Sequence, residues 1–215
     1  MALDKKSVLA SVEKVLAEGK GKRKFTQSVD LAVNFNDVDF KKAENRFNIS
    51  VVLPTAPKQM KVSVFADGQL ASDAKKAGAD LIISGAEIAD YAADKKKQKE
   101  LAKSTNLAAP QLMAVVGKQL GQVLATRGAL PKPIPPNADL RSFIESTRRT
   151  VTLKPKGKFL PCVHCIIGSE AMDANAIADN VMAILEALFK QFNEQQITNV
   201  FIKTTMGKPV KITSR

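Results

Sequence analysis

Near the end of the chain, Thr204-Thr205-Met206-Gly207-Lys208-Pro209-Val210 closes an apolar run with hydroxyls, a thioether and a glycine, and a basic tail with Lys211 and Arg215 follows. No reactive centre is visible in that choice of residues. Hydroxyls beside a backbone without a Cβ suit a surface that another polar chain approaches closely, as ribose and phosphate do. The same residues also suit a plain strand end turning into a loop. A second group, Cys162-Val163-His164-Cys165, imitates a redox or metal signature. A redox pair normally opens a helix, whereas the flanks Phe159-Leu160 and Ile166-Ile167 read as a buried strand. On a strand Cys162 and His164 share one face and Cys165 points to the other. Zinc asks for four ligands, and the chain holds one His and two Cys in all, so buried structural thiols are expected and neither a metal nor a cofactor.

Enzyme chemistry finds little else to use. The lone histidine is on that strand, no glycine-rich loop ends in Gly-Lys-Ser/Thr, and Gly19-Lys20-Gly21 is only a fragment of a nucleotide fingerprint. No catalytic residue is expected. With 33 Lys plus Arg against 21 Asp plus Glu, a net charge of +12 and a pI near 9.7, the chain favours polyanionic partners through counterion release. Aromatics make up 5%, with Tyr91 the only tyrosine and no Trp, which argues against a base-stacking sheet and for backbone and groove contacts. A length of 215 residues with 45% hydrophobic content allows one large or two small domains with ordinary cores. Two cysteines suggest a reducing compartment, and neither a leader nor a spanning stretch is seen, so a soluble cytoplasmic protein without membrane contact is expected.

The elements that must position these residues follow from periodicity. Val8, Val12, Val15 and Leu16 predict a helix over 3–18, opened by Asp4 and stopped by Gly19. Val29, Leu31, Val33 and Phe35 alternate with polar residues as a half-buried strand, and Ile49, Val51 and Leu53 repeat the pattern up to Pro54, with Pro57 just beyond. The style then changes: short apolar runs at 61–66, 80–84 and 107–109 alternate with helical stretches at 69–77 and 87–103, the mark of a parallel α/β unit. Pro110 opens a helix carrying Leu112, Val115, Val116, Leu120 and Leu124. The prolines of 126–136 exclude regular structure there, and Asn137 caps a further helix to about Arg149. Strands at 151–154 and 159–167, a helix opened by Asp173 and buried along Ile177, Val181, Ile184, Leu185 and Leu188, and a strand at 197–205 complete the chain.

Half-polar strands at both ends imply an antiparallel sheet with one solvated face, while the middle reads as a sheet buried on both faces. The expected fold class is therefore α/β: an α+β domain of residues 1–57 and 150–215, interrupted by an inserted parallel, Rossmann-like domain of residues 58–149. Two chain crossings would join them and could serve as a hinge. Positive charge divides evenly between the segments and does not say which one grips a polyanion.

Four motifs in order carry a resemblance: Lys24-Phe25-Thr26-Gln27-Ser28-Val29-Asp30-Leu31, Glu44-Asn45-Arg46 followed by Val51-Val52-Leu53-Pro54, Arg127-Gly128-Ala129-Leu130-Pro131-Lys132-Pro133, and Thr205-Met206-Gly207-Lys208-Pro209. Through them the chain resembles the ribosomal protein L-one family, the large-subunit stalk proteins, in its archaeal form, over nearly its whole length. One departure is Ala125-Thr126, where the family often has Gly-Pro. The resemblance implies a split first domain that binds large-subunit ribosomal RNA at the mobile stalk, beside the exit-site tRNA whose release it assists. It also implies binding to the protein's own mRNA as a translational repressor. Carried over, the RNA-binding positions are Phe25, Ser28, Asp30, Thr205, Met206 and Gly207, with Lys24, Thr204 and Lys208 beside them.

Physical chemistry gives each a task. Ser28 and Thr205 exchange hydrogen bonds with 2′-hydroxyls, Gly207 admits the RNA backbone, Phe25 and Met206 pack on sugar or base faces, and Asp30 accepts from a ribose hydroxyl or a guanine edge. Core packing for Phe25 and Met206, and a solvated strand face for Asp30, are the competing readings. Lys154, Lys156 and Lys158 are additional candidates for phosphate contacts or a solvated turn. The run Lys95-Lys96-Lys97-Gln98-Lys99 is a solvated helix face or a route to RNA or a ribosomal neighbour. The rival function is a small-molecule or nucleotide site on the inserted α/β sheet.

Overall fold

The computed structural model of the chain describes residues 4–19, 21, 23–36, 38, 40, 42, 45, 47–135, 139–155 and 160–212. From the N-terminus it forms α1 (Lys5–Gly19), β1 (Ser28–Phe35), β2 (Ile49–Val52), β3 (Val62–Phe65), α2 (Gly68–Lys76), β4 (Leu81–Ile83), α3 (Ile88–Ala93), α4 (Lys95–Leu101) and β5 (Thr105–Ala108). There follow α5 (Met113–Gln119), α6 (Gly121–Thr126), β6 (Lys132–Pro133), α7 (Leu140–Arg149), β7 (Thr150–Leu153), β8 (Cys162–Ser169), α8 (Ala174–Phe189), β9 (Ile197–Thr204) and β10 (Val210–Ile212). Internal contacts divide the chain into two compact units, one of Met1–Lys58 with Arg149–Arg215, the other of Gln59–Arg148.

In the first unit four antiparallel strands lie in the order β10-β9-β1-β8. The alternation of β1 becomes burial: Val29, Leu31, Val33 and Phe35 are enclosed, and Ser28, Asp30, Ala32 and Asn34 stay half-exposed. Val8, Val12 and Val15 of α1, with Ile177, Val181, Ile184, Leu185 and Leu188 of α8, join the enclosed strand residues in one core. Asp173 caps α8, its carboxylate accepting from the Asn175 amide at 3.3 Å. Phe35, Phe40, Phe47 and Phe192 form an aromatic cluster in the same unit, with ring centroids 4.9 Å apart at the closest and mostly edge-to-face.

The strand at 150–153 does not join that sheet. It pairs antiparallel with β2 in a separate ladder, from Ile49↔Leu153 to Val52↔Thr150, and the Leu53 amide donates to Arg149 O at 3.0 Å. Pro54, with no N–H, ends it. The chain beyond is latched by Asn180, a polar residue inside the apolar stripe of α8. Its amide accepts from Thr55 N at 3.1 Å and donates to Thr55 O at 3.0 Å and to Ile167 O at 2.8 Å. Asn180→Leu strands those backbone groups, and a loss of about 1–3 kcal/mol in urea unfolding is expected.

The second unit is a parallel sheet in the order β4-β3-β5-β6, with all four residues of β3 buried, as a strand covered on both faces should be. Three local features differ from the periodicity. The helical stretch at 87–103 is two helices, because Asp94 is extended and its carboxylate caps α4 by accepting from Lys96 N at 2.8 Å. The next helix begins only at Met113 and breaks at Leu120, ahead of Gly121. The proline-rich stretch contributes a strand after all: Lys132 and Pro133 pair with Leu107 and Ala108, which an edge position permits because its outer side needs no N–H. Asn137 lies outside the described residues.

Asp80 Oδ2 accepts from Val62 N at 2.8 Å and from Arg148 Nη2 at 2.9 Å, tying the unit's first strand to its last helix. The ammonium of Lys97 sits 4.9 Å from the centre of the Tyr91 ring, and burial, then the charges of Glu87 and Glu100, raise the phenol's pKa. Among the described residues no helix is long and apolar enough to cross a membrane.

Candidate nucleic-acid interface

β1 and β9 are neighbours in antiparallel register, Val29 opposite Thr204 and Asp30 opposite Lys203, so the start of one strand meets the end of the other. Past Thr204 the chain makes a tight turn into β10, closed by Gly207 N donating to Thr204 O at 3.1 Å. Thr205 and Met206 occupy the tip of that turn and are exposed. Thr205 is also anchored: its amide donates to Ser28 O at 3.0 Å, and its hydroxyl both donates to Ser28 O and accepts from Ser28 N, each at 3.2 Å. That leaves the hydroxyl one free lone pair and no proton to give, so it can only accept from a further partner.

The turn rests on a buried polar residue that sequence reading passed over. Gln27, 2% exposed, donates to Gly19 O at 2.9 Å and to Glu170 Oε2 at 3.3 Å, and accepts from Met206 N at 3.1 Å. Its own carbonyl takes the Glu170 amide at 2.9 Å. One side chain therefore joins the end of α1, the segment after β8 and the tip of the turn. Parity could have found it, since position 27 falls on the inward face with Val29, Leu31 and Val33.

The structure brings Ser28, Thr205, Met206 and Gly207 together around this turn, and Phe25 lies two residues ahead of the Gln27 that supports it. Phe25 and Met206 are 51% and 59% exposed, so neither belongs to the core. Lys24 and Lys208 are exposed, and Ser28, Asp30 and Gly207 are half-buried.

Thr204 corrects the expectation: its side chain is fully buried and cannot present itself to a ligand. Its γ-methyl abuts Gly19, where an added Cβ would lie 2.6 Å away, and its hydroxyl sits against Gly207. A Cβ on Gly207 would be driven into Thr204 Oγ1, so this glycine is required by the turn's own packing, before any question of RNA approach. Thr204 Oγ1 has no hydrogen-bond partner among the described residues.

Lys154 is exposed one residue past β7, which belongs to the two-stranded ladder rather than the sheet that carries the turn. Lys156 and Lys158 lie outside the described residues. His164 is exposed on β8, Cys162 is half-buried rather than enclosed, Cys165 is buried, and neither cysteine is in a disulfide. Among the described residues no group of His, Cys, Asp or Glu is arranged to hold a metal ion.

Comparison with known proteins adds the wider context. A sequence profile of the ribosomal protein L1p/L10e family matches residues 15–208. The large ribosomal subunit protein uL1 of Thermofilum pendens is 42% identical over 96% of this chain and 92% of its own length. The proteins of the same name from Archaeoglobus fulgidus and Thermococcus kodakarensis are 41% and 40% identical, each over 99% of this chain and 100% and 99% of their own lengths.

Proposed function

This chain belongs to the ribosomal protein L1p/L10e family, and from that premise we propose that it holds ribosomal RNA on the turn between β9 and β10 and the adjoining start of β1. It is a constituent of the large ribosomal subunit, located with the ribosome in the cytoplasm, and not an enzyme. The finer assignment is that it binds at the mobile stalk beside the exit site, assists release of deacylated tRNA and represses translation by binding its own mRNA.

The observation that carries the reading is the pairing of exposed apolar side chains, Phe25 and Met206, with a turn fixed from beneath by Gln27. Apolar groups held out in water on a rigid support suit sugar or base faces. Preorganisation of this kind lowers the ordering cost of binding. Thr205 accepts from a 2′-hydroxyl through its remaining lone pair, Ser28 and Asp30 supply further polar contacts, and Lys24 and Lys208 neutralise phosphate.

Thr205→Val tests it. Filter binding to the stalk fragment of large-subunit ribosomal RNA should weaken by about 5- to 150-fold, as expected for about 1–3 kcal/mol from an unpaired hydroxyl. Thr205→Ser should stay close to the parent, because it keeps the oxygen and both bonds to Ser28. Unchanged affinity for the valine variant would remove the turn from the site.

A further inference from the structure

The sheet and turn above leave unused a dense run of positive charge in the second unit. α4 and the turn after it carry Lys95, Lys96, Lys97, Lys99 and Lys103 within nine residues, and the ladder of backbone bonds continues past the helix through Lys103 N to Glu100 O at 3.0 Å and Ser104 N to Leu101 O at 3.2 Å. Leu101 is buried and Gln98 and Ala102 are partly so, which fixes the inward face. At 3.6 residues per turn Lys96, Lys99 and Lys103 then fall on the opposite, outward face, and all three are exposed.

Three of the acidic groups nearby are already engaged. Asp94 caps the helix, Glu87 accepts from Ser84 N at 3.0 Å, and Glu100 pairs with Lys61 at 3.4 Å. Lys97 is on the Tyr91 ring. Among the described residues no carboxylate lies within ion-pair distance of Lys96, Lys99 or Lys103. Lys99 lies three residues from Lys96 and four from Lys103, and like charges so spaced repel; Glu100 on the same face offsets part of this, and an external polyanion would neutralise the rest. From Lys96 to Lys103, seven steps of 1.5 Å, the three ammoniums span about 10 Å, a reach that covers successive phosphates of a nucleic-acid strand.

We propose that the α4 stripe, Lys96, Lys99 and Lys103, is a second RNA-binding surface, in the second unit, that grips the sugar-phosphate backbone without reading sequence. It extends the RNA-binding reading above and rests on it for the choice of RNA as the polyanion. Backbone contacts of this kind set the salt dependence of affinity and add little sequence preference.

The experiment uses the full chain, a fluorescently labelled RNA duplex of arbitrary sequence, and affinity measured across a salt series. Changing all three lysines to glutamine should reduce the slope of log affinity against log salt by about three, one for each phosphate no longer neutralised. The thermal midpoint should stay equal or rise, since like-charge repulsion is relieved. A control set on other helices, Lys14, Lys75 and Lys118 to glutamine, should leave the slope within about one of the parent. A stripe variant with the parent's slope overturns the proposal, and so does a control set that lowers the slope as much, because net charge alone would then explain the binding. Thr205→Val serves as the separate arm. On the stalk RNA it should lose affinity, so a failed turn (no loss for this variant) and a failed stripe (the parent's slope for the lysine variant) give different results.

Discussion

Gly207→Val should weaken binding to the stalk RNA by at least about a hundredfold, near 2.8 kcal/mol, and also lower the protein's own stability by about 1–3 kcal/mol. The stability loss follows from the Cβ that would enter Thr204 Oγ1 beneath the turn. Two roles for the glycine are thus combined, and a double-mutant cycle separates them. Thr204→Ala removes the obstructing oxygen, a buried hydroxyl with no partner among the described residues, so Gly207→Ala should cost far less stability in that background than alone. Urea unfolding measures this coupling. RNA affinity in the double variant then reads the second role: the added Cβ points onto residue 204 beneath the turn, so affinity that stays low requires RNA packed closely on the backbone at 207. Full recovery of affinity would mean that Gly207 serves only the protein, and that the turn is read through Thr205 and Met206 alone.

Excision of the insert should leave a folded RNA binder. β2 and β7 are antiparallel partners, Val52 lies opposite Thr150, and the Leu53 amide reaches Arg149 O. Joining residue 57 to residue 150 therefore closes a hairpin through a short loop instead of bridging a gap, and Asn180 still latches Thr55. We expect one cooperative transition and affinity for the stalk RNA within about tenfold of the full chain, roughly 1.4 kcal/mol, the shortfall coming from phosphate binding by the second unit. A shortened protein with a cooperative transition and native-like circular dichroism, yet without binding, would falsify the assignment of the interface to this unit.

Much of the fold was legible because burial follows period. The alternation in 29–35 and the stripe of 177–188 each translated directly into an enclosed face. What escaped were single polar residues on inward positions. Gln27, Thr204 and Asn180 each share parity or helical phase with apolar neighbours, and periodicity counts such positions as noise although they fix the turn and the crossing. The break at Asp94 was hidden for a related reason: a cap acts through one hydrogen bond and hardly disturbs the apolar pattern. Lys132-Pro133 was hidden because a proline signals loop in isolation and an edge strand only when a neighbour is known. At the interface, residue types and the resemblance marked the turn, but only the folded chain could tell that Met206 faces outward while Thr204, two positions earlier, is sealed.

The placement of aromatic rings also divides the molecule optically. The chain has no tryptophan and one tyrosine, and Tyr91 belongs to the second unit, whereas the cluster of Phe35, Phe40, Phe47 and Phe192 belongs to the first. Intrinsic emission excited in the tyrosine band is therefore a private reporter of the insert, silent on melting of the sheet that carries the turn. Near-ultraviolet dichroism of the phenylalanine bands follows mainly the other half, since only Phe65 and Phe143 of the ten phenylalanines belong to the second unit, and the two signals together resolve, without any label, which half of the protein an added RNA stabilises.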